Sequence, residues 1–123
     1  MQRQQYIHEF IAHTSHNIFL TGKAGTGKTT LLHQIRTKTY KSCVVAAPTG
    51  IAALNAGGVT LHSLLQLPIG AFIPDSSAEL TNIPTDQLFV TPKEIHGHIH
   101  LQDRKIRLLR AMELLVIDEV SML

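Results

Sequence analysis

Asn17-Ile18-Phe19-Leu20-Thr21-Gly22-Lys23-Ala24-Gly25-Thr26-Gly27-Lys28-Thr29 is the stretch that decides the fold. Its apolar opening, stopped by Gly22, reads as a short buried strand. Gly22–Thr29 then matches G-x-x-x-x-G-K-[ST] in full. Leu31, Leu32 and Ile35 follow at helical spacing, and the cations between Lys38 and Lys41 suit a helix C-terminus. Strand, glycine loop and helix form the context in which this pattern binds phosphate. Glycines let the backbone curl until successive N–H groups point inward at phosphate oxygens, and the helix start adds its dipole. Gly22, Ala24, Gly25, Thr26, Gly27, Lys28, Thr29 and Thr30 are therefore the candidate nucleotide-binding set. Lys28 would place a point charge at the β- and γ-phosphates of ATP, and the Thr29 hydroxyl would ligate Mg²⁺. A glycine-rich turn with an incidental Lys and Thr is the plainer alternative, and the flanking elements weigh against it.

Working outward, Tyr6, Ile7, Phe10 and Ile11 predict an opening helix. Ser42–Ala47 is a second strand, ended by Pro48. Residues 51–56 form a short helix closed by Gly57-Gly58. Residues 104–112 read as a helix with Ile106, Leu109 and Met112 turned inward, and 114–117 as a third strand ending on Asp118-Glu119. Strands without alternation, separated by helices, imply an α/β fold with a parallel sheet covered by helices on both faces. Residues 66–102 hold four of the five prolines and read as an insertion.

Two adjacent carboxylates at a strand end are often helix caps. Downstream of a phosphate loop they acquire a sharper meaning. Asp118 would complete the Mg²⁺ site begun by Thr29, and Glu119 would orient and deprotonate an attacking water. Lys28 and Glu119 are the candidate catalytic pair, and a water-activating Glu favours hydrolysis over phosphoryl transfer to a second substrate.

Composition narrows the class without choosing the function. The chain has 123 residues, 44% of them hydrophobic, which argues against disorder. No run approaches the roughly 20 apolar residues of a membrane span, and residues 1–5 do not start a secretory signal. A single cysteine, Cys43, fits a reducing compartment, either cytoplasmic or nuclear. The net charge of +2 permits nucleic-acid binding without requiring it.

Ala47-Pro48-Thr49-Gly50-Ile51-Ala52-Ala53-Leu54-Asn55-Ala56-Gly57-Gly58-Val59-Thr60-Leu61-His62-Ser63 is the most distinctive stretch. Together with the phosphate loop and Val116-Ile117-Asp118-Glu119-Val120-Ser121-Met122, it resembles the Pif/RecD-like branch of superfamily-one DNA helicases, closer to the Pif side. The resemblance covers residues 1–65 and about 103–123. It implies a P-loop NTPase of RecA-like type, acting 5′ to 3′ on single-stranded DNA with ATP and Mg²⁺. It also implies that the chain is the first part of a longer motor, broken off after the Walker-B strand, with further helicase domains beyond Leu123. Carried over by position, Gln5 would read adenine, although Gln4 and Gln2 are close enough to compete. Pro48, Thr49 and Gly50 would form a first single-strand contact, His62 and Ser63 a second, and Ser121 would couple phosphate state to DNA grip. His62 packing against or capping the helix after Thr60 is an equal alternative. Two rival readings are an AAA-type remodeller and a nucleotide-binding fragment inactive by itself.

Other features carry less. His96, His98 and His100 alternate, but no Cys or acidic cluster completes a ligand set, so no structural metal is expected. Arg104, Lys105, Arg107 and Arg110 could meet DNA phosphates, with a solvated helix face as the simpler reading. Phe72 and Phe89 could stack on bases, yet aromatics in such a segment more often pin it to the domain.

Overall fold

The first helix, α1 (Gln2–His13), turns Ile7 and Ile11 inward and leaves Tyr6 and Phe10 exposed. A computed structural model describes residues 2–67, 71–72, 89–90, 97 and 100–123. After the glycine loop comes α2 (Lys28–Lys38), which buries Leu31 and Ile35. With Ile11 these two form one core cluster, and Ile7, Leu20, Leu32, Leu114 and Val116 pack around it. Each fully buried Leu or Ile contributes about 2 kcal/mol of transfer free energy, so this cluster fixes α2 against the sheet.

The main sheet has three parallel strands in the order β2-β1-β5. β1 is Cys43–Ala47, β2 is Val59–Thr60 and β5 is Leu114–Ile117. Cys43 pairs with Leu114 and Val45 with Val116, while Val44 pairs with Leu115 and Ala46 with Ile117. Partners in a parallel ladder share a face, and faces alternate along each strand. Leu114 and Val116 therefore meet the α1–α2 cluster. Val44 and Ala46 meet a second cluster, formed by Leu61 and Leu64 of α4 (Leu61–Leu65) and Leu109 of α5 (Asp103–Ala111). Helices thus lie on both faces, as the α/β reading requires. Ile106, Leu109 and Met112 are half-buried.

The last helix to place is α3 (Gly50–Ala56), which links β1 to β2 and ends on Gly57 in the left-handed region at φ 68°. Gly58 is required for a different reason. A Cβ there would lie 2.2 Å from the Val45 carbonyl oxygen, so only glycine lets β2 start this close to β1. In the 66–102 region, β3 (Ala71–Phe72) and β4 (Phe89–Val90) form a separate parallel pair.

Two expectations need correction. Residues 17–21 form no strand. Leu20 packs on the core as expected, but a strand also needs a ladder partner, and among the described residues β5 pairs only with β1. Phe19 is 78% exposed in consequence. The sheet is also less covered than the unbroken apolar run of β5 suggests. Leu115 and Ile117 stay partly open, because α4 and α5 pack over β1 rather than over β5.

Candidate functional site

Geometry brings the sequence motifs to one edge of the sheet. α2 ends at Lys38 and β1 begins at Cys43, so helix and strand run in opposite directions. Eleven helical residues and five strand residues each span about 16 Å. The N-terminus of α2 therefore stands at the C-terminal edge of the strands. Asp118 leaves β5, and Thr49 leaves β1, at that same edge.

The loop at this edge is built to face an anion. Gly25 and Gly27 take φ of 76° and 86°, the left-handed region in which glycine has no Cβ penalty. Gly27 is the N-cap of α2 and provides no side-chain cap. The first helical hydrogen bond runs from Leu31 N–H to the Gly27 carbonyl at 3.0 Å, so the amides of Lys28, Thr29 and Thr30 have no acceptor within the helix. No acidic residue occupies the first turn to neutralise the dipole. The Lys28 ammonium folds back across the loop and donates to the carbonyls of Gly22 at 2.7 Å and Lys23 at 2.9 Å. Thr26 Oγ1 donates to the Lys23 carbonyl at 2.7 Å. Gly22 is closely confined, since a Cβ there would come within 2.9 Å of Thr26 Oγ1. Ala24, Gly25, Thr26, Thr29 and Thr30 are all exposed.

At the same edge, Asp118 extends the ladder by one bond, its N–H donating to the Ala46 carbonyl at 2.9 Å. Leu114, Val116 and Asp118 alternate along the strand, which directs Asp118 to the side of the sheet that carries α2. Asp118 Oδ1 accepts from the Glu119 N–H at 2.9 Å. Glu119 sits at φ 52° and ψ 40°, a left-handed conformation that costs a non-glycine residue about 1 kcal/mol or more. It is exposed, and the chain then turns into a short 3₁₀ helix, Val120–Met122, which carries Ser121. Strain at the residue proposed to activate water is a feature that sequence reasoning missed, because φ leaves no mark in a Glu codon.

The second group of residues lies along the neighbouring strands. Thr49 caps α3, its Oγ1 accepting from the Ala52 N–H at 3.2 Å, which leaves the hydroxyl proton free to donate. Pro48 and Thr49 are half-buried and Gly50 is exposed. Thr60, paired with Ala47 across the ladder, caps α4 in the same way by accepting from the Ser63 N–H at 3.1 Å. Thr60 is thus the cap of α4, and His62 is exposed beside Ser63. Thr60 was readable as a cap from its position just before an apolar helix. Gln5 is exposed on α1, and its side chain makes no hydrogen bond among the described residues. His96 and His98 lie outside the described residues, and His100 is exposed.

Comparison with known proteins agrees with this arrangement. The family model described as PIF1-like helicase matches residues 2–123. The chain is 33% identical over 119 residues to the ATP-dependent DNA helicase PIF1 of Saccharomyces cerevisiae, covering 92% of this chain and 12% of that protein. It is 38% identical over 117 residues to the ATP-dependent DNA helicase Pif1 of a Psychrobacter species, covering 92% of this chain and 15% of the relative. Among solved structures, a Bacteroides Pif1 helicase in complex with ADP-AlF3 and single-stranded DNA shares 44% identity. It superposes with a TM-score of 0.72, over 100% of this chain and 24% of its own. The chain thus spans a small fraction of the length of the proteins it matches. A helicase family match over residues 2–123 favours the helicase reading over the AAA-type one. With a parallel sheet carrying helices on both faces and a family match over residues 2–123, the chain belongs to the PIF1-like helicase family.

Proposed function

We propose that this chain is the nucleotide-binding part of a RecA-like motor domain in a Pif-like, 5′ to 3′ DNA helicase. In this reading it couples ATP hydrolysis to movement along single-stranded DNA. The observation that carries the reading is the uncapped start of α2, with Lys28 tied across the loop at the edge where Asp118 and Glu119 emerge. The fit to a nucleotide rests on the donor set: three free amides, an ammonium and no carboxylate in the helix's first turn. Gly22, Ala24, Gly25, Thr26, Gly27 and Thr30 line the phosphate groups, and Gln5 is the candidate for adenine.

Thr29 and Asp118 are the residues that would hold Mg²⁺, which supplies charge neutralisation at the β- and γ-phosphates when bound. A hydroxyl and a carboxylate are hard oxygen donors of the kind this ion takes. Lys28 exchanges its two carbonyl acceptors for phosphate oxygens, a switch from neutral to charged acceptors that strengthens each hydrogen bond. Glu119 orients the attacking water and accepts its proton. Its exposed position at the strand end leaves the carboxylate free for that role.

Single-stranded DNA would lie over the starts of α3 and α4. The Thr49 hydroxyl and the backbone at Pro48–Gly50 hold one phosphate, and His62 and Ser63 a second, without reading bases. Ser121, two residues after Glu119, links the two sites. The relatives' being ATP-dependent DNA helicases supports a role in DNA unwinding. Replication, repair, recombination or telomere maintenance, in the cytoplasm or the nucleus, would be the setting, with the remaining helicase domains as partners. Among the described residues, no helix is long and apolar enough to cross a membrane.

The test is direct binding of a fluorescent ATP analogue with Mg²⁺, and of a labelled oligo(dT), by fluorescence anisotropy. Both are expected to bind, and a protein that binds neither would overturn the proposal.

A further inference from the structure

α5 carries charge out of proportion to its length. It holds four of the chain's eleven Lys and Arg residues and one of its nine Asp and Glu, a net +3, while the rest of the chain is net −1. The positive balance of the protein therefore sits on about two and a half helical turns.

Arg104, Arg107 and Arg110 recur every third residue, so they form one ridge with a rise of about 4.5 Å per step. All three are exposed. Among the described residues no carboxylate lies within ion-pair distance of them, and the close pair of opposite charges there is His13 with Glu9 on α1. The opposite side of the helix is occupied, since Leu109 packs on Ala46, Leu61 and Leu64. Asp103, the helix's single acid, sits in the first turn, where the helix dipole favours it. It shares a shallow groove with Ile106, Arg107 and Arg110. Like charges three residues apart destabilise a helix by a few tenths of a kcal/mol per pair.

The ridge adjoins the surface already described. Gln102, which precedes α5, donates its N–H to Gln66 Oε1 at 2.8 Å, and Gln66 caps the C-terminus of α4. His62 is about 6 Å of helix away from Gln66.

We propose that Arg104, Arg107 and Arg110 hold the phosphate backbone of single-stranded DNA, extending the contact that begins at Thr49 and His62. This rests on the DNA-binding reading above. The contact is electrostatic and independent of sequence, so it shows in the salt dependence of binding.

The experiment is anisotropy of a fluorescein-labelled oligo(dT) titrated with the protein across a salt series. Three phosphate contacts contribute about 2 to the slope of log K against log salt on a single strand. The triple variant Arg104→Gln, Arg107→Gln, Arg110→Gln is expected to lose that amount and to keep its affinity for the Mg²⁺-bound ATP analogue. The triple Arg→Lys variant is expected to keep the slope. Each single Arg→Gln variant should lose about 0.7, so the singles decide if the triple fails to fold. If the wild type binds oligo(dT) and the Gln variants keep its slope, the ridge does not touch DNA and the inference falls alone. If the wild type does not bind oligo(dT), the DNA reading falls, and this inference with it.

Discussion

Replacing Gly58 by Ala should be the most damaging single-methyl change in the described core. The new Cβ would lie 2.2 Å from the Val45 carbonyl oxygen and 2.6 Å from its carbon, both backbone atoms of the central strand. Reaching ordinary contact at 3.4 Å requires the β2 backbone to retreat by about 1.2 Å. β2 meets β1 at only two positions, Ala46 with Val59 and Ala47 with Thr60. A retreat of that size stretches a hydrogen bond of about 2.9 Å past 4 Å, which breaks it. Overpacking costs about 1–3 kcal/mol, and each lost bond about 1 kcal/mol more. For a domain of this size the sum lowers the melting temperature by about 10 °C. Gly50→Ala is the control, because a Cβ at Gly50 meets nothing within 4 Å. Thermal unfolding followed by circular dichroism should separate the two variants by that margin. A Gly58→Ala protein melting within 2 °C of both the wild type and Gly50→Ala would refute the steric argument.

Other expectations concern the phosphate edge and the core. Lys28→Ala should weaken binding of a Mg²⁺-bound ATP analogue about 10- to 100-fold, the worth of a charge-assisted hydrogen bond to phosphate, while oligo(dT) binding by anisotropy stays unchanged. Glu119→Gln should keep nucleotide affinity and slow single-turnover hydrolysis by about 10²–10⁴. Glu119→Gly should slow it equally and yet raise thermal stability, by relieving the left-handed strain of about 1 kcal/mol. Burial pushes the Cys43 thiol above its ordinary pKa, opposed by the positive charge of Arg36. The folded protein thus keeps the proton longer than the unfolded chain, so stability holds below the ordinary thiol value and declines as pH rises through the folded one. Iodoacetamide at pH 8 should accordingly label Cys43 more slowly in the native protein than in guanidinium chloride.

The elements that sequence located well are those whose signal is local. Gly57 ends α3 because a left-handed cap needs no distant partner, and Leu31 and Ile35 mark their helix by period alone. The loop around Gly25 and Gly27 was legible for the same reason, its residue types being dictated by φ. What sequence misjudged depends on neighbours. Residues 17–21 have the apolar character of a strand, but ladder hydrogen bonds come from another segment, and none of the described ones supplies them. Leu115 and Ile117 look like fully buried strand residues until α4 and α5 are seen to sit over β1. The conformation of Glu119 and the close approach of Gly58 to Val45 were equally hidden, since each is a property of two segments meeting. Gln5 and the proposed DNA contacts at Thr49 and His62 were named from the family likeness, and the hydrogen bonds account for only part of them: Thr49 and Thr60 as caps, with Gly50, His62 and Ser63 left exposed.

The hydrogen bond between Gln66 and Gln102 bears on how this domain can change over time. It brings together the two ends of residues 67–101, so the path between α4 and α5 closes whatever the detour contains. Closure entropy rises only with the logarithm of loop length, about 0.6 kcal/mol for each doubling. A detour anchored in this way can lengthen, shorten or diverge at little thermodynamic cost. The strands β1 and β5, which lead into Thr49 and Asp118, would not move in response. Selection can therefore rework one part of the molecule freely while the phosphate edge stays fixed.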